Sequence, residues 1–188
     1  MRVSREEASG NRERVVATAA EKFRERGYDG ISVVDLMKAA GMTHGGFYKR
    51  FASKDALMAE ATELALASNL EHWRKAIARD PSRPAAALRR WYLGSGHLAA
   101  VGEGCAYAAL AGEAPRHGPE IRRTFETYLQ ASISELTANA GDGDTDARAD
   151  AMRSVAQMVG SLMLARAVDD KAFAREILES GKGGVARA

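Results

Sequence analysis

Apolar residues recur at three- and four-residue spacing along most of this chain, and the polar breaks between such runs fall at capping residues and glycines. From Asn11, a candidate N-cap, to Arg26, the positions Val15, Val16, Ala19, Ala20 and Phe23 share one face, which predicts an amphipathic helix ended by Gly27. Residues 1–10 carry no such pattern and are expected to be a mobile polar arm. Ser32 is the next N-cap, with Asp35 three residues on where a capping-box acid stands. The helix it opens ends at Ala39 or Ala40, Gly41 turns the chain, and Thr43 caps a third short helix through about Arg50. Three short helices with a glycine turn between the last two describe a helix-turn-helix.

Ser53 caps a longer fourth helix that places Leu57, Ala61, Leu64, Ala65 and Leu70 toward a core and cannot outlast Pro81. Helices are then expected from Pro84 to Ala100 and from Gly104 to Ala111, with a loop over Pro115–Pro119. Ile121, Phe125, Tyr128, Leu129, Ile133 and Leu136 mark the next helix, and Gly141–Thr145 reads as a polar loop. From Asp146 to about Val168 the chain is apolar over much of the helical girth, through Met152, Val155, Met158, Val159, Leu162, Met163 and Leu164. Such a helix is buried on more than one side. A last helix opens at Asp169 or Asp170 and holds Phe173, Ile177 and Leu178, before a loose tail from Lys182.

Composition agrees with an all-α fold. The 188 residues include 37 alanines against 22 Val, Ile and Thr together, a bias that favours helix over sheet. One cysteine, Cys105, permits neither an internal disulfide nor a cysteine-based zinc site. No apolar run reaches the length of a membrane span, and the polar start does not read as a signal peptide, so a cytoplasmic protein is expected. The formal charge is only +2. Its distribution matters more, because Ser32–Lys54 holds Lys38, Lys49, Arg50 and Lys54 against Asp35 alone.

Five of the twelve aromatic residues fall between Phe23 and Phe51, in the same span as these cations. In the run Thr43-His44-Gly45-Gly46-Phe47-Tyr48-Lys49-Arg50-Phe51, Phe47 and Phe51 stand four apart and can anchor the segment against Phe23. His44, Gly45, Tyr48 and Lys49 are thereby turned the other way. Two glycines early in a short helix cost about 1 kcal/mol each relative to alanine, which is tolerable where a DNA base edge must approach the backbone.

The stretch Gly27 to Leu57, GYDGISVVDLMKAAGMTHGGFYKRFASKDAL, resembles the DNA-binding domain of TetR-family (TetR/AcrR) bacterial transcriptional regulators. The resemblance is detailed from about Arg12 to Leu57, with departures at Ile31, Met37 and Arg50, and it extends to the later helices only in their number and length. It implies an arm and helix-turn-helix domain over residues 1–54, and a helical ligand-binding and dimerisation domain over 55–188. It implies phosphate contacts from Ser32, Thr43, Tyr48, Arg50 and Lys54, and base-edge contacts from His44, Gly45 and Lys49. The partners it implies are double-stranded DNA bearing a near-palindromic operator, a second copy of the chain, and a small-molecule effector.

Expected lining for an effector pocket is Trp73, Trp91, Tyr92, Cys105, Tyr107, Phe125, Tyr128, Met152 and Met158. Cys105 stands near an expected helix N-terminus, a position that lowers a thiol pKa, and a Gly-Cys here resembles electrophile-sensing members of the family. Two rivals therefore stand beside an effector-released repressor: a redox- or electrophile-responsive repressor using Cys105, and a helical enzyme or carrier that binds no DNA. No catalytic constellation, cofactor or metal site is expected. Asp142–Asp146 imitates the start of a calcium loop but fails at Ala147 and Arg153. Gly94-Ser95-Gly96-His97-Leu98-Ala99 follows a helix rather than a strand, as a dinucleotide motif would not.

Overall fold

In the computed structural model, which describes residues 5–138 and 146–183, α1 runs from Arg5 to Arg26. It starts well before Asn11, which lies inside the helix and caps nothing. Residues 5–8 are Arg, Glu, Glu and Ala, all strong helix formers, and the cost of Gly10, about 1 kcal/mol relative to alanine, does not stop propagation. The arm expected over residues 1–10 is thus helical from Arg5 onward, and residues 1–4 lie outside the described residues.

Ser32 caps α2 (Val33–Ala39) as anticipated, its Oγ accepting the Asp35 N–H at 3.1 Å and donating to Asp35 Oδ2 at 2.7 Å. Gly41 follows with φ +72°, a left-handed conformation that side-chain-bearing residues rarely adopt. The third helix differs from expectation. His44–Gly46 form a single 3-10 turn, and Phe47–Arg50 continue as turns closed by Arg50 N–H to Phe47 O at 2.8 Å. Paired glycines give the first turn too little helical preference to hold an α-helix, and the Thr43 side chain makes no cap bond.

The Ser53 Oγ accepts the Ala56 N–H at 3.1 Å and opens α3, Lys54–Ile77. Glycine also breaks the expected helix over Pro84–Ala100, into α4 (Pro84–Tyr92) and α5 (Ser95–Ala99), with Gly94 between them. The short α6 (Ala106–Leu110) and a 3-10 turn at Ala114–Arg116, within the expected loop, lead to α7 (Pro119–Ala138) with proline at its first position. α8 (Ala147–Ala167) follows Asp146, and α9 (Lys171–Lys182) is capped by Asp170, whose carboxylate accepts the Ala172 and Phe173 N–H groups. The last helix therefore takes up Lys182, where the tail was expected to begin. The loop expected at Gly141–Thr145 and the end of the tail lie outside the described residues.

α3 packs against α1, α4 and α7, while α8 packs against α7 and α9. A continuous buried core threads all of these, from Val15 and Phe23 through Leu57, Trp73, Tyr92 and Tyr107 to Met158 and Leu178. Some expected core positions are exposed: Leu64 on α3, Met152, Met163 and Leu164 on α8, and Phe173 on α9. α8 is apolar beyond the face its own chain covers, so its surplus faces outward.

Candidate nucleic-acid interface and adjoining cavity

The turn segment after α2 is anchored from beneath by aromatic rings. Phe47 and Phe51 are buried with centroids 5.5 Å apart, and the Arg12 guanidinium lies 4.9 Å over the Phe51 ring while pairing with Glu60 at 2.5 Å. The same segment sends its remaining side chains outward. Tyr48 is 68% exposed, standing edge-on to Phe47 and His44, and Thr43, His44, Gly45 and Lys49 are exposed beside it. Lys54 occupies the first turn of α3, where free backbone amides favour an anion.

Two of the expected phosphate donors are already engaged. The Ser32 hydroxyl is spent on Asp35. Arg50 folds its Nη1 onto the Gly46 carbonyl at 2.7 Å, closing its own turn rather than reaching into solvent. Thr43, His44, Gly45, Tyr48, Lys49 and Lys54 remain as one accessible set offering hydroxyl, imidazole, bare backbone and two ammonium groups. That chemistry suits phosphates and base edges.

Tyr28 ties this unit to the rest of the chain. Its N–H donates to Glu113 Oε2 at 2.8 Å, and its hydroxyl meets Thr62 Oγ1 at 2.6 Å. Burial pushes this phenol up to about 12. Burial also raises the phenols of Tyr92 and Tyr107.

A cavity of about 480 Å³ opens between α3, α4 and the segment from Gly94 to Cys105. Of the aromatic and sulfur residues expected to line a pocket, Trp73, Trp91 and Cys105 do so. Tyr92 is fully buried and packs against the Trp73, Trp91 and His97 rings. Tyr107 is held in the core by Ser132 Oγ at 3.1 Å, next to Phe125, and Met158 is also core. Tyr128 lines a separate groove between α1, α3 and α7, and Met152 lies on the outer surface of α8. Sequence reasoning missed Asn69, His72, Arg90, His97 and Glu103 in the cavity wall. The glycines at 94 and 96 were the available signal, since they break the helix and turn His97 back toward α4.

The segment His97–Cys105 is a strap with polar bonds at both edges. Arg166 of α8 donates to the carbonyls of His97 at 2.8 Å, Leu98 at 3.3 Å and Ala100 at 3.4 Å. Arg24 of α1 donates through Nε to the Gly102 carbonyl at 2.6 Å. A Cβ at 102 would lie 2.7 Å from Glu25 Oε1 and 2.9 Å from Glu21 Cγ, so these α1 side chains would have to shift to admit one. Burial lowers both guanidinium pKa values from their ordinary range, and the carbonyl partners compensate the lost hydration. The Asn69 carboxamide closes the inner end, accepting the Ala106 N–H at 3.0 Å and donating to Ala65 O at 3.2 Å.

Cys105 does precede α6, yet it is only 2% exposed, and burial pushes its thiol up rather than down. Among the described residues no group of three His, Cys, Asp or Glu side chains could hold a metal ion, and no helix is long and apolar enough to cross a membrane.

Residues 15–61 match the family described as bacterial regulatory proteins, tetR family. That segment is of the TetR type. The match covers the second half of α1, α2, the 3-10 turn and the first turns of α3, the elements that hold and present the exposed set. A Bacillus subtilis relative, the HTH-type transcriptional regulator YvdT, is 37% identical over 65 residues, which is 35% of this chain and 34% of that protein; the match thus spans about a third of the relative's length. The whole fold recurs in solved structures. A TetR-family regulator from Cytophaga hutchinsonii superposes with a TM-score of 0.80 over 100% of both chains at 18% identity. The reduced form of Escherichia coli NemR superposes with a TM-score of 0.77 over 93% of this chain and 95% of that one, at 20% identity. The matched segment is that of bacterial regulatory proteins, which favours a regulator over the reading as a helical enzyme.

Proposed function

We propose that this chain is a homodimeric repressor that leaves a near-palindromic operator when a small-molecule effector enters the cavity at Trp91 and His97. Residues 1–54 act as the reading head and 55–188 as the effector and dimerisation body. Thr43, His44, Gly45, Tyr48 and Lys49 meet one half-site in the major groove, with Lys54 on a flanking phosphate, while Ser32 and Arg50 contribute after exchanging their present bonds. The exposed apolar residues of α8 and α9, Met152, Met163, Leu164 and Phe173, support pairing with a second copy.

The observation that carries the reading is the strap. It forms a wall of the cavity and is hydrogen-bonded to α1 of the reading head through Arg24 and Gly102. An effector that fits only a displaced strap favours the state in which α1 is displaced, and by that differential affinity it shifts the equilibrium away from DNA. Burial of Cys105 argues against the thiol as the input.

Selection of bound duplexes from a random pool at stated salt tests the first half. Enrichment of an inverted repeat is expected, and enrichment of no sequence would sink the DNA-binding reading. The enriched duplex then serves as the probe for effector release.

A further inference from the structure

The cavity wall also indicates what kind of molecule it takes. We infer that the effector is a planar aromatic acid, held by its carboxylate at Arg90 and His72 and carrying a hydrogen-bond donor toward Glu103. This rests on the reading of the cavity as the effector site. Trp91 and His97 stack with centroids 5.2 Å apart and an interplanar angle of 19°, and His72 lies 6.0 Å from the same indole. Trp91 and His97 cover one another's inner faces, and the cavity beside them is lined by rings, so an aromatic ligand that meets an outer ring face or edge gains contact energy beyond its buried area. Gly94 and Gly96 line the cavity without side chains to fill it.

The polar groups are unequally distributed. Arg90, on α4, donates to Asp80 at 3.2 Å, and its guanidinium fork carries further N–H groups able to meet a carboxylate. His72 of α3 adds a further ring nitrogen. Glu103, on the strap, is an exposed carboxylate close enough to Arg24 to act on it electrostatically. An acceptor there welcomes a phenol or aniline and repels a second acid. A volume of about 480 Å³ admits a bicyclic ring system.

Both tryptophans of the chain, Trp73 and Trp91, line this one cavity, so intrinsic fluorescence reports its occupancy. The test titrates the full-length protein with 6-hydroxy-2-naphthoate and with the neutral 6-hydroxy-2-naphthamide, following tryptophan quenching and calorimetric heat. The acid is expected to quench and to bind about tenfold more tightly than the amide. Arg90→Gln is expected to erase that difference while the amide affinity stays, which also shows that the cavity is still formed. Equal affinities in the unaltered protein, or no quenching by the acid, would overturn the inference. Operator binding and release are measured separately. Quenching by the acid without release from the selected operator would refute the release mechanism and leave the ligand class standing; an operator complex with no acid binding does the reverse.

Discussion

His97 Nε2 accepts the backbone N–H of Cys105 at 3.0 Å, and His97 Nδ1 lies 2.8 Å from the Tyr92 carbonyl. An acceptor at Nε2 and a donor at Nδ1 require one neutral tautomer, and a proton added to Nε2 would expel the Cys105 amide. Burial lowers this imidazole below its ordinary value for the same reason that it disfavours any buried cation.

The pH dependence follows in sign. Below the ordinary histidine pKa of about 6.5 the unfolded chain binds a proton that the folded chain refuses, so stability falls as pH drops from about 7.5 to about 5.5. Urea unfolding at several pH values should show that slope, and His97→Gln should flatten it while lowering stability by about 1–2 kcal/mol at the upper end. An identical slope in the variant would show that His97 is not the group responsible.

Arg24 and Arg166 hold opposite edges of the strap, and only Arg24 lies on α1, the first helix of the proposed reading head. Arg24→Gln removes the donor to Gly102, at a cost of about 1–2 kcal/mol in stability. It should leave quenching of the cavity tryptophans by ligand intact and weaken ligand-induced release from the operator. If release is as complete in the variant as in the parent, coupling runs through another contact.

Much of this was legible in local sequence signals. Ser32, Ser53, Asp170 and Pro119 act where their side chains dictate, because capping needs only the residue and its next few neighbours. The exposed face around Tyr48 followed from the buried pair Phe47 and Phe51. What sequence left hidden depends on distant partners. Arg50 looked like a phosphate donor, but the nearest acceptor proved to be its own turn at Gly46. His97 showed no metal spacing and was unremarkable until Gly94 and Gly96 folded it back against Trp91. Cys105 stands at a helix start, where a thiol can be activated, but its burial in the core sets the opposite sign.

Lys54 should contribute through charge alone. Each neutralised phosphate adds about −0.9 to the slope of log K against log salt, and a dimer carries two copies. Lys54→Ala should therefore make the slope shallower by about 1.8 and weaken all duplexes alike, whereas Lys49→Ala should also relax preference at one position of each half-site. Titrations of the selected operator and a scrambled duplex across salt check both. An unchanged slope for Lys54→Ala would remove this residue from the interface.

The thiol of Cys105 should be inert in the native protein. At 2% exposure and with its pKa raised, it should react with a disulfide reagent on the order of 100-fold more slowly near pH 7.5 than in urea. Native labelling as fast as that of the unfolded chain would restore Cys105 as a chemical sensor. Cys105→Ser should then abolish the response of the operator complex to electrophiles.

Leu164 is 61% exposed on α8, more than Met152 at 44% or Met163 at 41%, and Phe173 of α9 is half exposed as well. Among the described residues this apolar set on the two last helices is left largely uncovered. Full burial of a leucine against another surface contributes about 1.5–3 kcal/mol, and in a symmetric pair each substitution counts twice. Leu164→Glu should weaken the dimer by at least about a hundredfold while changing the melting of the helical fold far less, because most of the side chain lies outside its own protomer's core. Sedimentation equilibrium at micromolar concentration, set beside a thermal melt followed by circular dichroism, separates the two effects. A parent protein that sediments as a monomer would defeat the α8–α9 pairing outright. If the variant remains as tight a dimer as the parent, pairing uses a different face, and the exposed apolar stripe needs another partner.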